Sequence, residues 1–583
     1  MLKLTCDQKP YKDYVYLKRI DDLRAHEETD LNLIDKLMKE IVSSGILRKA
    51  ITVDESTQVI LNGSHRYEVL KLMGCKLIPV VYVNYNSPDI VVECWCGNSK
   101  LSKKEILEAG LSGRKLPPKS SRHLIRRGNS LFHISTIEKR VDVPLDLLKS
   151  DLELINIREV KTAMYANFDE TLTSYARFLK TGIIDVPLIL DRATNILLGD
   201  YDAFYALDLL SANKVPALRV DIDQLGTKFI HSSKEITKQI IIDAGLRGPK
   251  LPPNSFKLNL EPLRVSVPLS DLMEYRDMSK KSMRVFESTI ELLYENWPTP
   301  LVKLKSLSVS ERTVWAKLES YNPFSNSIKD RVGWALISDA LERGELKNVL
   351  YEATSTNTGI ALASIANTLG VKSKLFIPGA VQKTSDVYLD VLGAEVIRLP
   401  VGLTVEALEI VDAEAKAHGG SHLNQFENDA NFKVHLKYTA REIDEQLKSL
   451  GLQPTCIIGG LGTSGHMSAI AFYFKSKYGD DVKIIGVQPA PNEVIPGIRR
   501  TETGMKWLHR VRFDEIVDVT QSEAIEGVIK IARNEGLLIG LSAGAVVNAF
   551  QKIAKDKGIY VLVFPDSGYK YAEYFEKHFF EKR

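Results

Sequence analysis

A single lysine, Lys329, sits inside YNPFSNSIKDR, a polar turn of Asn, Ser and Pro at residues 321–331. Four Gly- or Ser-marked loops follow it, each at the end of a predicted strand, where open α/β sheets bind ligands. EATSTNTGIALASIA (352–366) runs from a polar turn into a helix. Its amides and hydroxyls lie at the positive end of the helix dipole and suit a carboxylate. GGLGTSGHMSAI (459–470) is a second strand–loop–helix of this kind, suited to a phosphate. NQFEN (424–428) and FPDSG (564–568) complete the set. One such loop alone is an ordinary helix N-cap, but two behind one lysine point to a binding site. Towards the other end of the chain, the helix start LNGSHRYEVLKLMG (61–74) is a further phosphate-binding signal.

The elements that must position these residues fall into two regimes. From about residue 285, apolar strands such as CIIGG, KIIGV and YVLVFP alternate with helical stretches such as SDVYLDVLGA and SEAIEGVIKIARNEG. That alternation predicts a doubly wound, largely parallel α/β sheet. The first 275 residues instead carry an imperfect duplication: AGLSGRKLPP at 109–118 returns as AGLRGPKLPP at 244–253. Upstream, GILRKAITVDESTQVILNGSHRYEVL is echoed by GIIDVPLILDRATNILLGDYDAFYAL. Each copy reads helix, strand, turn, strand, helix, strand, enough for a small α+β domain. VDVPLDLL and VSVPLSDLM close the copies, so the expected divisions are 1–145, 146–280 and 281–583.

Bulk properties narrow the function classes. A net charge of +3 over 583 residues leaves no broad nucleic-acid surface, although a local basic pocket is compatible with it. The start MLKLTCDQKPYKDY is too polar for a signal peptide, and no apolar run reaches transmembrane length. Cys6, Cys75, Cys94, Cys96 and Cys456 are scattered and odd in number, which is cytoplasmic usage. Cys94-Trp95-Cys96 lacks a second thiol pair, so no metal site is expected.

From WPTPLVKL (297–304) to PDSGYKY (565–571) the chain resembles the cysteine synthase and cystathionine β-synthase group of pyridoxal-phosphate (PLP) enzymes. The resemblance implies a fold-type II PLP domain in which Lys329 forms the internal Schiff base. A neutral amine is needed for that attack, and enclosure lowers a lysine's pKa. It further implies that Asn357 contacts the cofactor ring hydroxyl and that Gly462, Thr463, Ser464, Gly465 and His466 cradle its phosphate. Thr354, Ser355, Thr358 and Gln425 are implied to bind the substrate carboxylate, and Ser567 the pyridine nitrogen. A serine there does not hold the ring as pyridinium, which favours β-elimination chemistry. Thr356 replaces the usual glycine of the first loop, and Ser464 and His466 stand where Gly and Thr are common. IPGIRRTETGMKW (495–507) adds Arg499 and Arg500. Arginine's planar fork suits a phosphate, so O-phosphoserine is the expected substrate.

LNGSHRYEVLKLMG, with RAHEETD (24–30), LRKAITVD (47–54), VECW (92–95) and LPPKSSRH (116–123), resembles the ParB-like free serine kinases. That resemblance covers roughly residues 11–125 and implies a ParB/sulfiredoxin-like fold that phosphorylates L-serine with ATP or ADP and Mg2+. Glu27 is then the base, and Trp95 lines the serine pocket. Asn62, Gly63, Ser64, His65 and Arg66, with Lys119, Ser120, Ser121, Arg122 and His123, hold nucleotide phosphates. The family turn carries Asp where this chain has Asn62. In the second copy Met164 falls opposite Glu27, and Asp202 and Ala203 opposite His65 and Arg66, so it reads as a pseudo-domain. The two halves make chemical sense together: one makes O-phosphoserine, the other consumes it in β-replacement by sulfide or an amine. The competing reading is a nucleotide- or DNA-binding regulatory module ahead of a lone PLP synthase. Small-molecule substrates, no membrane partner and a homodimer are expected.

Overall fold

The computed structural model describes residues 10–94, 101–223, 229–231, 236–258, 262–273, 284–379 and 381–580, so Trp95 and Cys96 lie outside the described residues. The chain divides into two compact units, Met1–Arg276 and Asp277–Arg583.

Within the first unit the duplicated sequence makes the same local contacts twice. Helix Leu31–Ser44 is capped by the Asp30 carboxylate and ends at Gly45, φ 66°. Its counterpart Phe168–Thr181 is capped by Asn167 and ends at Gly182, φ 67°. Side-chain caps and a left-handed glycine satisfy the end groups a helix leaves open. Glu27 bridges Leu116 in one copy as Met164 bridges Leu251 in the other. Leu145 N–H donates to the Gly45 carbonyl at 3.0 Å, and Leu269 N–H to that of Gly182 at 2.8 Å. The first copy therefore runs past residue 145 through helix Leu145–Lys149. Its centre is strand Leu77–Val83, buried at all seven positions between Val15–Arg19 and Ile51–Asp54.

The second unit holds two sheets where the sequence pattern predicts one. The larger runs Leu301–Lys303, Arg312–Leu318, Gly558–Phe564, Cys456–Gly460, Lys483–Pro489, Glu515–Val519, with every pairing parallel but the first. The smaller, all parallel, runs Glu395–Leu399, Lys372–Pro378, Val349–Ala353, Ser421–His422. The chain leaves the larger sheet after Leu318, builds the smaller one and returns at Cys456. Strand–helix alternation looks the same whichever sheet a strand joins, which is why sequence periodicity cannot separate them. Each sheet has its own core, Val314, Ile458, Val487 and Leu562 in the larger and Leu336, Ile360, Leu362 and Leu375 in the smaller. At about 1.5–3 kcal/mol per buried aliphatic side chain, these cores fix the strand ends from which the loops project.

Candidate functional site

The loop before Lys329 is folded back by its own helix. The Asp330 carboxylate, in the first turn of Lys329–Glu342, accepts from the N–H groups of Phe324 (2.7 Å) and Ser325 (2.8 Å). Ile328 N–H donates to the Pro565 carbonyl at 2.8 Å, and Ser327 bridges Asp566. Lys329 is thereby pinned beside the end of strand Gly558–Phe564. It keeps some contact with solvent, yet its amine is packed within protein. That packing pulls its pKa down to about 8, against the pull of the Asp566 carboxylate. The neutral amine, the state a nucleophilic or basic lysine needs, is therefore a minority species at neutral pH but far more abundant than in an ordinary lysine.

Hydrogen bonds then join loop to loop. Asn357 Nδ2 donates to Asp566 Oδ2 at 2.8 Å, and Lys570 donates to Asn357 Oδ1 and, at 2.7 Å, to the Ser325 carbonyl. Thr358 Oγ1 donates to Gln425 Oε1 at 2.8 Å. Asn431 Nδ2 donates to the Gln425 carbonyl (2.8 Å) and to Thr463 Oγ1 (3.0 Å). The expected cofactor and substrate residues of the C-terminal half are therefore brought together, although Thr358 and Gln425 bond each other here. Ser567 accepts from Tyr569 N–H at 3.3 Å.

Several polar atoms in this cluster are buried without a hydrogen-bond partner: Thr354 Oγ1, Ser464 Oγ, His466 Nε2, Asn431 Oδ1 and Asp566 Oδ1. Each such atom costs about 1–3 kcal/mol, so their concentration marks a site held ready for a polar ligand. Ser464 has φ 69° at the head of helix Gly465–Tyr478, keeping the backbone a glycine would adopt. A Cβ on Gly462 would lie 2.5 Å from the Gly497 carbonyl oxygen, and one on Gly465 2.3 Å from Asn431 Oδ1, so neither tolerates a side chain. Thr356, by contrast, has φ −128° and bonds Ser385 at 2.7 Å, so the glycine expected there is not needed. His466 is buried and held neutral, its pKa lowered to about 3 by burial and then by the nearby Lys329.

The arginine pair splits. Arg499 Nε donates to the Gly462 carbonyl at 2.9 Å and Nη1 to Thr503 Oγ1 at 2.8 Å, with the guanidinium over the Phe426 ring. It lines an open cleft of about 370 Å³ with Phe426, Glu427, Met505 and Lys506, and burial lowers its pKa to about 10. Arg500 instead pairs with Glu502 (2.8 Å) and Asp518 (3.3 Å).

In the first unit Glu27 accepts from Ser121 Oγ at 3.0 Å and from Lys119 N–H. Burial raises its pKa, partly offset by Ser121 and the amides of residues 119–121. The run 119–123 divides: Arg122 pairs with Glu93 at 3.6 Å, whereas His123 is buried and bonds Tyr85 at 2.9 Å. His65 Nε2 accepts from Asp30 N–H at 3.1 Å. Gly63 (φ 100°) leaves no room for a Cβ beside Ile51. Ser64 opens the helix that follows. Arg66 and Asn62 both reach Glu138, at 2.8 and 2.6 Å. Glu138 thus supplies a carboxylate beside Asn62.

Sequence reading missed Asp566, Lys570, Asn431, His26 and Glu138. The first two lie in PDSGYKY and His26 adjoins Glu27, so motif proximity was a signal for those three. Asn431 and Glu138 had none.

Residues 292–566 match the family described as pyridoxal-phosphate dependent enzyme. Cysteine synthase B of Escherichia coli K12 is 34% identical over 303 residues, covering 50% of this chain and 98% of its own. The O-acetylserine dependent cystathionine beta-synthase of Bacillus subtilis is 35% identical over 289 residues, 47% of this chain and 92% of its own. Cysteine synthase of Aquifex aeolicus is 33% identical over 291 residues, 47% and 88% respectively.

Proposed function

The chain belongs, through its C-terminal unit, to the cysteine synthase family of pyridoxal-phosphate dependent enzymes, and we propose that it makes O-phosphoserine from L-serine and replaces the phosphate with sulfide to give L-cysteine. The residues present fit the cofactor. Ser464 Oγ and His466 Nε2 are orphaned polar atoms in the loop matched to its phosphate, and Gly462 and Gly465 leave no space that a side chain could fill. When bound, PLP supplies an electron sink for the substrate's α-carbon. Lys329 Nζ, neutral above about pH 8, takes the α-proton. Thr354, Ser355, Thr358 and Gln425 hold the carboxylate, and Asn357 and Ser567 orient the ring.

The observation that carries the phosphate assignment is Arg499. It lines the cleft, is tied to the Gly462 carbonyl and has no ion-pair partner among the described residues. Glu427 on the same cleft attracts it only from beyond ion-pair distance, so this partly buried cation is further stabilised by an arriving phosphate. Arg500, already paired, does not fill this role.

Glu27, cradled by residues 119–121, is the proposed base for the serine hydroxyl, with His65 and Arg66 near the nucleotide. Glu138 stands in for the missing Asp. Among the described residues no helix is long and apolar enough to cross a membrane. A cytoplasmic homodimer is proposed on the resemblance alone. The test supplies the whole chain with L-serine, ATP or ADP, Mg2+, PLP and sulfide and follows O-phosphoserine and cysteine. Both should accumulate in sequence. Cysteine from added O-phosphoserine, with none formed from serine and any nucleotide, would make the first unit a nucleotide- or DNA-binding regulatory module.

A further inference from the structure

Behind Glu27 lies a line of buried polar groups that the proposed chemistry does not yet use. His26, 1% exposed, places Nδ1 2.7 Å from the Ile60 carbonyl and Nε2 2.8 Å from Ser121 Oγ. The same Ser121 Oγ lies 3.0 Å from Glu27 Oε2. A carbonyl only accepts, so Nδ1 carries a hydrogen, and in a neutral ring Nε2 is then a lone-pair acceptor. Ser121 has one hydrogen and two acceptors on either side of it. With Glu27 ionised, that hydrogen can go to the carboxylate, which also accepts from Lys119 N–H, or to the imidazole, so His26 Nε2 lacks a donor whenever Ser121 turns to Glu27. A single added proton on Glu27 repairs both contacts.

The second copy is a control within the same chain. The Met164–Leu251 bridge answers Glu27–Leu116, and the Phe229–Leu258 pair answers Val92–His123. That register sets Ala163, Met164, Phe256 and Leu258 opposite His26, Glu27, Ser121 and His123. All four are buried. The Leu197 carbonyl, opposite that of Ile60, takes the Tyr201 hydroxyl at 2.6 Å. The fold therefore holds with an apolar set at these positions, and every polar member is missing from the copy that lacks the glutamate. Packing does not demand the polar set, because burying such groups is costly without a compensating role.

We propose that Glu27, Ser121 and His26 form a proton relay, an inference that rests on the serine-phosphorylation reading of Glu27. As the substrate's O–H bond breaks, Glu27 gains the proton. Glu27 then passes a proton to Ser121 Oγ while the Ser121 hydrogen moves to His26 Nε2, leaving carboxylate, neutral hydroxyl and imidazolium. Atoms and charge balance, and no other reactant is required. Burial raises Glu27 and lowers His26, so both shifts leave His26 neutral at rest and make the carboxylate–imidazolium pair that the relay forms, Nε2 and Oε2 3.6 Å apart, a transient state. The titratable groups facing the relay from neighbouring elements are His123 and Tyr85 on the inner side, with Lys103 over the Tyr85 ring. On the outer side are Lys119 and His65. His26 touches no substrate and is a positioning residue.

Two readouts test the relay in the full chain. In the pH–rate profile of O-phosphoserine formation, His26→Phe removes the acceptor that rewards Glu27 protonation, so the acid limb moves down by roughly one pH unit. Ser121→Ala removes the carboxylate's donor and moves the limb up. Uniform losses at every pH, with both limbs unmoved, would overturn the relay. The second readout needs no turnover: 15N spectra of histidine-labelled protein should show His26 protonated on Nδ1, with an Nε2 signal that shifts in Ser121→Ala. An Nε2–H tautomer, or a signal indifferent to Ser121→Ala, would also overturn it. If wild type forms no O-phosphoserine, the phosphorylation reading fails by itself, and these spectra still decide whether the three groups are coupled.

Discussion

Replacing Arg499 with Gln should cripple use of O-phosphoserine while sparing O-acetylserine. Gln can still donate to the Gly462 carbonyl, which Arg499 Nε now reaches at 2.9 Å, so the neighbouring loop keeps its tie. What is lost is charge. Of the five N–H groups of the guanidinium, one is spent on Gly462 and at least one on Thr503, which leaves Nη2 as the main donor to a phosphate. A full buried ion pair broken at one end costs about 2–5 kcal/mol, and a partly committed fork belongs at the lower end. About 2–3 kcal/mol corresponds to a roughly 30- to 150-fold fall in kcat/KM. O-acetylserine, which brings no charge to the cleft, should lose less than about fivefold, under 1 kcal/mol. Arg500→Gln breaks solvent-exposed pairs with Glu502 and Asp518 and a bond to the Pro489 carbonyl, away from the cleft, and should leave the ratio of the two substrates unchanged. Steady-state kinetics on both substrates with purified variants decides the matter. Equal losses on the two substrates in Arg499→Gln, or a preference shift caused by Arg500→Gln, would refute the assignment.

Lys329→Ala should abolish the visible absorbance band that PLP gives the wild type. In wild type the rate of band appearance should rise with pH to half its maximum near pH 8, because the reactive amine is the deprotonated form; a rate indifferent to pH would contradict this. Glu27→Gln should cut O-phosphoserine formation about 10²–10⁴-fold, as expected for loss of a general base, whereas Met164→Gln should leave product formation nearly intact. Asn62→Asp should destabilise this chain by about 1–3 kcal/mol, since it replaces a donor 2.6 Å from Glu138 with a second acceptor. Its melting temperature should fall below that of wild type, and a wild-type-like melt would show that Arg66 alone neutralises the pair.

Much of the C-terminal site could be read from sequence because its parts are local. A strand, a turn and a helix start are written in consecutive residues, and Lys329, Asn357 and the 462–466 loop are each of that kind. The clasp joining them was not readable. Asn357 meets Asp566 and Lys570 only because the two sheets bring together loops 209 and 213 residues apart. Arg499 and Arg500 are identical neighbours in sequence, and only the direction of the chain beyond Gly497 decides which faces the cleft. In the first unit the duplication was legible to the residue, since the Met164–Leu251 bridge repeats the aligned Glu27–Leu116 contact. Glu138 was not, because it reaches Arg66 across 72 residues with no motif around it. The run 119–123 misled by looking continuous: a strand alternates its faces, so Arg122 turns out and His123 turns in.

The strap carrying Arg499 is riveted to the 462–466 loop at three points. Arg499 N–H donates to the Leu461 carbonyl at 2.8 Å, its Nε to that of Gly462, and the Gly497 carbonyl closes over Gly462 too tightly for a Cβ. Whatever orders the loop therefore also orders the arginine. Linkage makes such a connection work in both directions: if a filled loop raises affinity for a phosphorylated amino acid by some factor, that amino acid raises the hold on the loop's occupant by the same factor. Under the proposed function, such a chain grips its cofactor hardest while O-phosphoserine is supplied, and retention of PLP through dialysis with and without O-phosphoserine measures that coupling.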